Sequence, residues 1–122
     1  MDDFASWIGT GTATAREGRA SLEFVAGREH LNAAGTVHGG VFATLVDAVM
    51  GSAVRSATDG SDAPATSQLT VAYLRPGEPG TLQVNAQVRK RGERMLVCEA
   101  EVEQKDRPLI HAVATFALIS GD

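Results

Sequence analysis

At 122 residues the chain is long enough for one domain with a genuine hydrophobic core, and residues 1–122 read as a single domain. Hydrophobic residues make up 43% and charged residues 21%, a globular balance rather than a disordered or membrane one. A formal net charge of −4 argues against nucleic acid as a partner, but leaves room for a local basic patch facing a phosphorylated ligand.

Cys98 is the one cysteine, which excludes an internal disulfide and a thiolate metal cluster. Met1 to Ile8 lacks the basic start and apolar run of a signal peptide, and no apolar stretch is long enough to span a bilayer. The expectation is a cytoplasmic protein with no membrane partner.

In chain order, Gly9 to Val25 predicts two short strands with a turn at Glu17-Gly18. Ala20, Leu22 and Phe24 alternate there with Arg19, Ser21 and Glu23, the period of a half-buried strand. His30 to Val37 reads as a loop. Then Val41, Phe42, Leu45, Val46, Val49, Met50, Ala53 and Val54, with Ala43, Ala48 and Ala57 between them, cover nearly the whole circumference of a helix. That predicts a helix buried all round, interrupted by Thr44, Asp47, Ser52 and Arg55. The run from Thr58 to Pro64 ends it with loop chemistry.

After Pro64 the pattern is strand throughout. Leu69, Val71 and Tyr73 alternate with polar or small residues before Arg75-Pro76-Gly77, and Leu82, Val84, Ala86 and Val88 form a second strand. Leu96 to Glu103 and Ile110 to Leu118 supply two more, with Glu99, Glu101 and Glu103 on a solvated face. The short connections predict antiparallel meander pairing. The fold class is therefore α+β, an antiparallel sheet wrapped around one long central helix.

The chemistry concentrates between His30 and Asp47. A carboxylate in the middle of an apolar helix costs several kcal/mol unless paired, hydrogen-bonded or protonated, so Asp47 is a candidate functional group. A local capping role or a wet subunit interface would also account for it. Gly39-Gly40 falls where the helix begins, where unpaired N–H groups point outward and the dipole is positive. Missing side chains there suit either an oxyanion site or a tight turn into the helix. Gly39 and Asp47 are eight residues apart, about 12 Å along one helix, too far to serve the same carbonyl. Two antiparallel copies of the helix about a two-fold axis would bring them together, so this chemistry calls for a dimer.

Asn32-x2-Gly35-x2-His38-Gly39-Gly40-Val41, with Asp47 nine residues after His38, resembles the signature of hot-dog-fold thioesterases of the phenylacetate-pathway (PaaI-type) group. The resemblance extends over nearly the whole chain, including the strand that ends in Leu74-Arg75-Pro76-Gly77. It implies hydrolysis of an acyl-coenzyme A, with phenylacetyl or hydroxylated aromatic acyl groups the favoured substrates. Asp47 would attack the thioester or activate water, and the Gly39 N–H of the neighbouring subunit would polarise the carbonyl. Asn32 would orient the thioester or the water. Thr66 would sit near the carboxylate, with Ser67 as its rival. His38 and Gly40 would support the helix start and the thioester end of the pocket, rather than His38 acting as a general base. The resemblance further implies a homodimer assembling into a homotetramer, and no cofactor, coenzyme A being part of the substrate.

Arg75 and Arg91 are candidates for the coenzyme A phosphates, with Lys90 and Arg94 beside them, although isolated loop charges are ordinarily just solvated. No closely spaced ligand pattern joins His30, His38 and His111, so no metal is expected. A hot-dog hydratase or dehydratase is disfavoured because neither Gly-Asp-x-Asn-Pro-x-x-His nor His-Phe-Pro occurs. A non-catalytic acyl-CoA-binding protein is the other alternative, and the retained Asp47 argues against it.

Overall fold

The computed structural model describes residues 3–59 and 63–119. A one-turn helix α1 (Phe4–Ile8) precedes strands β1 (Thr14–Arg16) and β2 (Arg19–Ala26) and a 3-10 turn at Arg28–His30. The long helix α2 (Gly39–Ala57) follows, and then strands β3 (Ala63–Tyr73), β4 (Gly80–Arg91), β5 (Met95–Gln104) and β6 (Arg107–Ile119). All six strands form one antiparallel sheet in the order β1-β2-β4-β5-β6-β3. The sheet curls around α2 in the hot-dog arrangement.

The strand periodicities locate the core. Leu22 and Phe24 of β2, Leu82 and Val84 of β4, Leu96 and Val102 of β5, and Ile110 and Phe116 of β6 all point inward and are buried. They meet Val41, Phe42, Leu45, Val46, Val49, Met50, Ala53 and Val54 of α2, also buried. Each fully buried aliphatic side chain of this kind is worth about 1.5–3 kcal/mol, so the helix–sheet contact is the main source of stability.

Three expectations need correction. First, β4, β5 and β6 form a meander, but β3 does not join it in sequence order: it pairs with β6, and β4 lies between β2 and β5. The segment after β3 instead crosses the start of α2, where Gly77 O accepts from the Val37 N–H. Second, α2 is not covered all round. Gly40 and Arg55 are exposed, and Ala43, Thr44, Asp47, Ala48 and Ser52 are only half-buried. Alanines count as apolar in a pattern yet have little surface to hide, so counting them overstates the buried arc. Third, the segment from His30 to Val37 is more ordered than a plain loop, since Leu31 and Val37 form an antiparallel bridge. Helix α2 ends at Ala57, in agreement with the sequence; residues 60–62 of the expected loop lie outside the described residues. Among the described residues, no helix is long and apolar enough to cross a membrane.

Candidate active site

Asp47 sits midway along α2 on its open side, where the Thr66 hydroxyl donates to its Oδ1 at 2.6 Å. A β-bulge between Thr66 and Gln68 decides which hydroxyl gets there. The bulge keeps Thr66, opposite buried Phe116, on the inner face, and frees Ser67 to donate to the backbone carbonyl of Thr115. The choice between Thr66 and Ser67 as the neighbour of Asp47 thus falls on Thr66. One carboxylate oxygen is held, and the other has no protein donor among the described residues.

At the start of α2, His38 is the N-cap, with extended backbone (φ −62°, ψ 137°) and Nδ1 accepting from the Gly40 N–H at 2.8 Å. This bond requires Nδ1 to be unprotonated, which suits a structural role better than that of a general base. The Gly39 N–H, first in the helix, donates to nothing among the described residues. Tyr73 of β3 closes the other side, its hydroxyl donating to Gly39 O at 2.8 Å and its ring packing edge-on against Phe42 at 6.4 Å. Space for a side chain is tight at both glycines. A Cβ at Gly39 would lie 3.3 Å from the Tyr73 hydroxyl, and one at Gly40 would lie 3.0 Å from Nδ1 of His38.

These groups border an open cleft of about 360 Å³, lined among others by Asn32, Val37, Gly39, Phe42, Tyr73 and Arg75. Asn32 is committed to shaping its rim: Oδ1 accepts from the Ala34 and Thr36 N–H groups at 2.9 and 3.1 Å, and Nδ2 donates to the Thr36 hydroxyl. Arg75 reaches back to donate to the carbonyl of Pro108 at 2.9 Å while lining the cleft. Arg91 is not brought to this cleft. Ladder pairing aligns Tyr73 with Ile110, Val102 and Val84, and Arg91 lies seven residues beyond Val84, about 23 Å along β4.

The three histidines serve separate places. His30 is buried, its Nδ1 accepting from the Gly27 N–H and its Nε2 donating to Ile8 O, which ties the N-terminal segment to the site loop. His111 lies on the outer sheet face 3.6 Å from Glu99, which also meets Arg89 and Gln87. That face is polar, as the glutamates predict. Among the described residues, no three His, Cys, Asp or Glu side chains are grouped to hold a metal ion.

Within one chain, then, Asp47 and Thr66 make one half of a site, while His38, Gly39, Gly40 and Tyr73 make another. Eight helical residues separate Asp47 from Gly39, which places them about 12 Å apart along the axis. In the sequence Tyr73 shows only as the last member of the Leu69, Val71, Tyr73 alternation. The available signal was chemical: an aromatic with a polar tip on an inner face needs a partner for its hydroxyl.

Residues 34–111 match the family model of the thioesterase superfamily. Human acyl-coenzyme A thioesterase 13 is 32% identical over 94 residues, which cover 75% of this chain and 66% of that protein. The chain spans about half to two thirds of the length of the first curated relatives it matches. A conserved protein from Pseudomonas aeruginosa superposes with a TM-score of 0.92 at 28% identity, covering 98% of this chain and 95% of that one. The Escherichia coli PaaI protein, from the phenylacetic acid degradation operon, superposes with a TM-score of 0.80 at 30% identity, covering 86% and 75% of the two chains. With the matched segment spanning α2, its capping loop and most of the sheet, the chain belongs to the thioesterase superfamily.

Proposed function

We propose that the protein hydrolyses an acyl-coenzyme A thioester to a carboxylic acid and free coenzyme A. The observation that carries this reading is the pairing of Asp47 with the Thr66 hydroxyl on the open side of α2. The bond holds Oδ1 and leaves Oδ2 to act, either by attacking the thioester carbonyl or by taking a proton from water as water attacks. In the first route an acyl–aspartyl anhydride forms as the coenzyme A thiolate leaves, and water then cleaves the anhydride. In the second, water adds directly and the thiolate is expelled from the tetrahedral intermediate. Both routes need a donor for the oxygen that becomes negative, a role suited to the Gly39 N–H, unpaired among the described residues, at the positive end of α2. Water is the second substrate, and the route calls on no metal or cofactor.

The working unit on this reading is a homodimer. Strand β3 ends the sheet with one edge unpaired among the described residues, and the half-buried stripe of α2 lies alongside it. An open strand edge beside small helical residues suits a second copy, bringing Gly39 of one subunit to Asp47 of the other. Relatives named for phenylacetic acid degradation favour phenylacetyl or hydroxylated aromatic acyl groups, and a cleft walled by Phe42 and Tyr73 is compatible with an aromatic ring.

The test is a panel of aliphatic and aromatic acyl-CoAs given to the purified protein, with released thiol followed by a chromogenic disulfide reagent. The expected result is turnover that disappears in Asp47→Ala. Equal turnover by a folded Asp47→Ala protein would reject the assignment.

A further inference from the structure

The Gly39–Gly40 peptide is held at both ends by side chains from different parts of the fold. Its N–H donates to Nδ1 of His38 at 2.8 Å, and its C=O accepts from the Tyr73 hydroxyl at 2.8 Å. Glycine is the residue whose backbone rotates most freely, and two in succession at a helix start would otherwise leave the first turn loose. The Gly39 N–H lies in the adjoining peptide, one α-carbon away, so holding the Gly39–Gly40 peptide restrains it, and this is the N–H with no partner among the described residues.

We infer that Tyr73 is a positioning residue, which aims the Gly39 N–H at the reacting carbonyl through its bond to Gly39 O. The inference rests on the thioesterase reading of the site for its catalytic consequence. Tyr73 lies near the end of β3, and Thr66, which holds Asp47, lies near its start. One edge strand thereby supports both halves of the chemistry, the carboxylate at one end and the oxyanion donor at the other. The packing shows which side of Gly39 is closed. A Cβ there would lie 3.3–3.4 Å from the tyrosine hydroxyl and ring, so Tyr73 shields that side and substrate must come from another. Within the single chain Tyr73 is half exposed, so its ring is not part of the closed core between helix and sheet. Preorganised donors stabilise a transition state without reorganising, so loosening this one should slow the chemical step more than it weakens binding.

The experiment uses Tyr73→Phe and Tyr73→Leu in the full chain. Steady-state rates are measured on the acyl-CoA that the wild type turns over best, and amide hydrogen exchange at Gly39 and Gly40 is followed by NMR without substrate. Tyr73→Phe should lower kcat about 10-fold and leave KM within about 2-fold, while speeding Gly40 exchange about 10-fold. Its thermal midpoint and oligomer size should match the wild type. Tyr73→Leu, which also loses the ring, should lower kcat at least as far and raise KM as well. Wild-type kcat and exchange in Tyr73→Phe, with damage only in Tyr73→Leu, would overturn the inference and leave Tyr73 a packing residue. Failure of the wild type to hydrolyse any acyl-CoA would overturn the thioesterase reading and the catalytic part of the inference with it. Unchanged exchange in Tyr73→Phe would overturn the positioning part independently of activity.

Discussion

The Thr66 hydroxyl and the Asp47 carboxylate, separated by 2.6 Å, join the edge strand of the sheet to the middle of the central helix. The bond orients the carboxylate while leaving one oxygen available. Replacing Thr66 by Val removes the donor at nearly constant shape and should lower kcat about 10-fold, equivalent to about 1.4 kcal/mol of barrier. Thr66→Ser should retain most of the rate. Because the pair is incompletely buried, the thermal midpoint of Thr66→Val should move little, and a rate assay with a parallel melt checks both outcomes.

Asp47→Asn keeps the size of the side chain and removes its charge. Its kcat should fall about 10²- to 10⁴-fold, the usual range for a positioned acid–base group. Its stability should be unchanged or higher, since a half-buried charge is lost from an otherwise apolar helix. Steady-state kinetics and urea unfolding of the same preparation measure the two effects.

The strand pattern, the long helix and the placement of Asp47 and Gly39 at its middle and start were all legible in the sequence. Alternation is a strong signal where one face of a strand is buried, as Leu82 and Val84 show. Pairing order was less legible, because β3 joins β6 through contacts far apart in the chain, which no local turn encodes. Helix α1 was missed because five residues are too few for periodicity, although Asp3 caps its start and Gly9 ends it in a left-handed conformation. Thr66 could be told from Ser67 only by a bulge, and the bond from Tyr73 to Gly39 joins residues 34 positions apart. Such contacts depend on how strand and helix cross, and that geometry is absent from one-dimensional pattern.

His30 is expected to matter for stability rather than for chemistry. Truncation to Ala strips partners from the Gly27 N–H and the Ile8 carbonyl and leaves a cavity beside Phe24. The expected cost is about 2–4 kcal/mol, read as a lower urea midpoint. Acyl-CoA turnover at low temperature should persist in the folded fraction.

Burial pushes the Cys98 thiol up to about 11 from an ordinary value of 9.0. The native thiol should therefore resist alkylation at pH 8 and react only on unfolding, as mass spectrometry before and after denaturant would show. A thiol reagent that reports released coenzyme A should likewise be blind to it. The unfolded thiol ionises first, so this contribution to stability is complete below pH 9 and declines as pH rises toward 11. Urea midpoints across that interval should fall more steeply in the wild type than in Cys98→Ala.

Subunit complementation decides whether Asp47 and Gly39 act together across a subunit boundary. Proline fits the first position of a helix, and the extended backbone of His38 suits a residue that precedes proline, so Gly39→Pro deletes the donor provided that the Tyr73 side chain shifts by a few tenths of an ångström to admit the ring. Each homodimer, Asp47→Ala or Gly39→Pro, should be nearly inactive, the second losing about 10²- to 10³-fold. Circular dichroism and light scattering should first show both to be folded and at least dimeric. The differently tagged copies are then co-expressed and the heterodimer isolated. If Asp47 of one subunit works with Gly39 of the other, one of its two sites carries both lesions and the other carries neither. The predicted result is recovery of up to about half the wild-type activity, as expected for two isologous sites. A heterodimer as inactive as its parents would place both groups in sites formed by one chain and contradict the account.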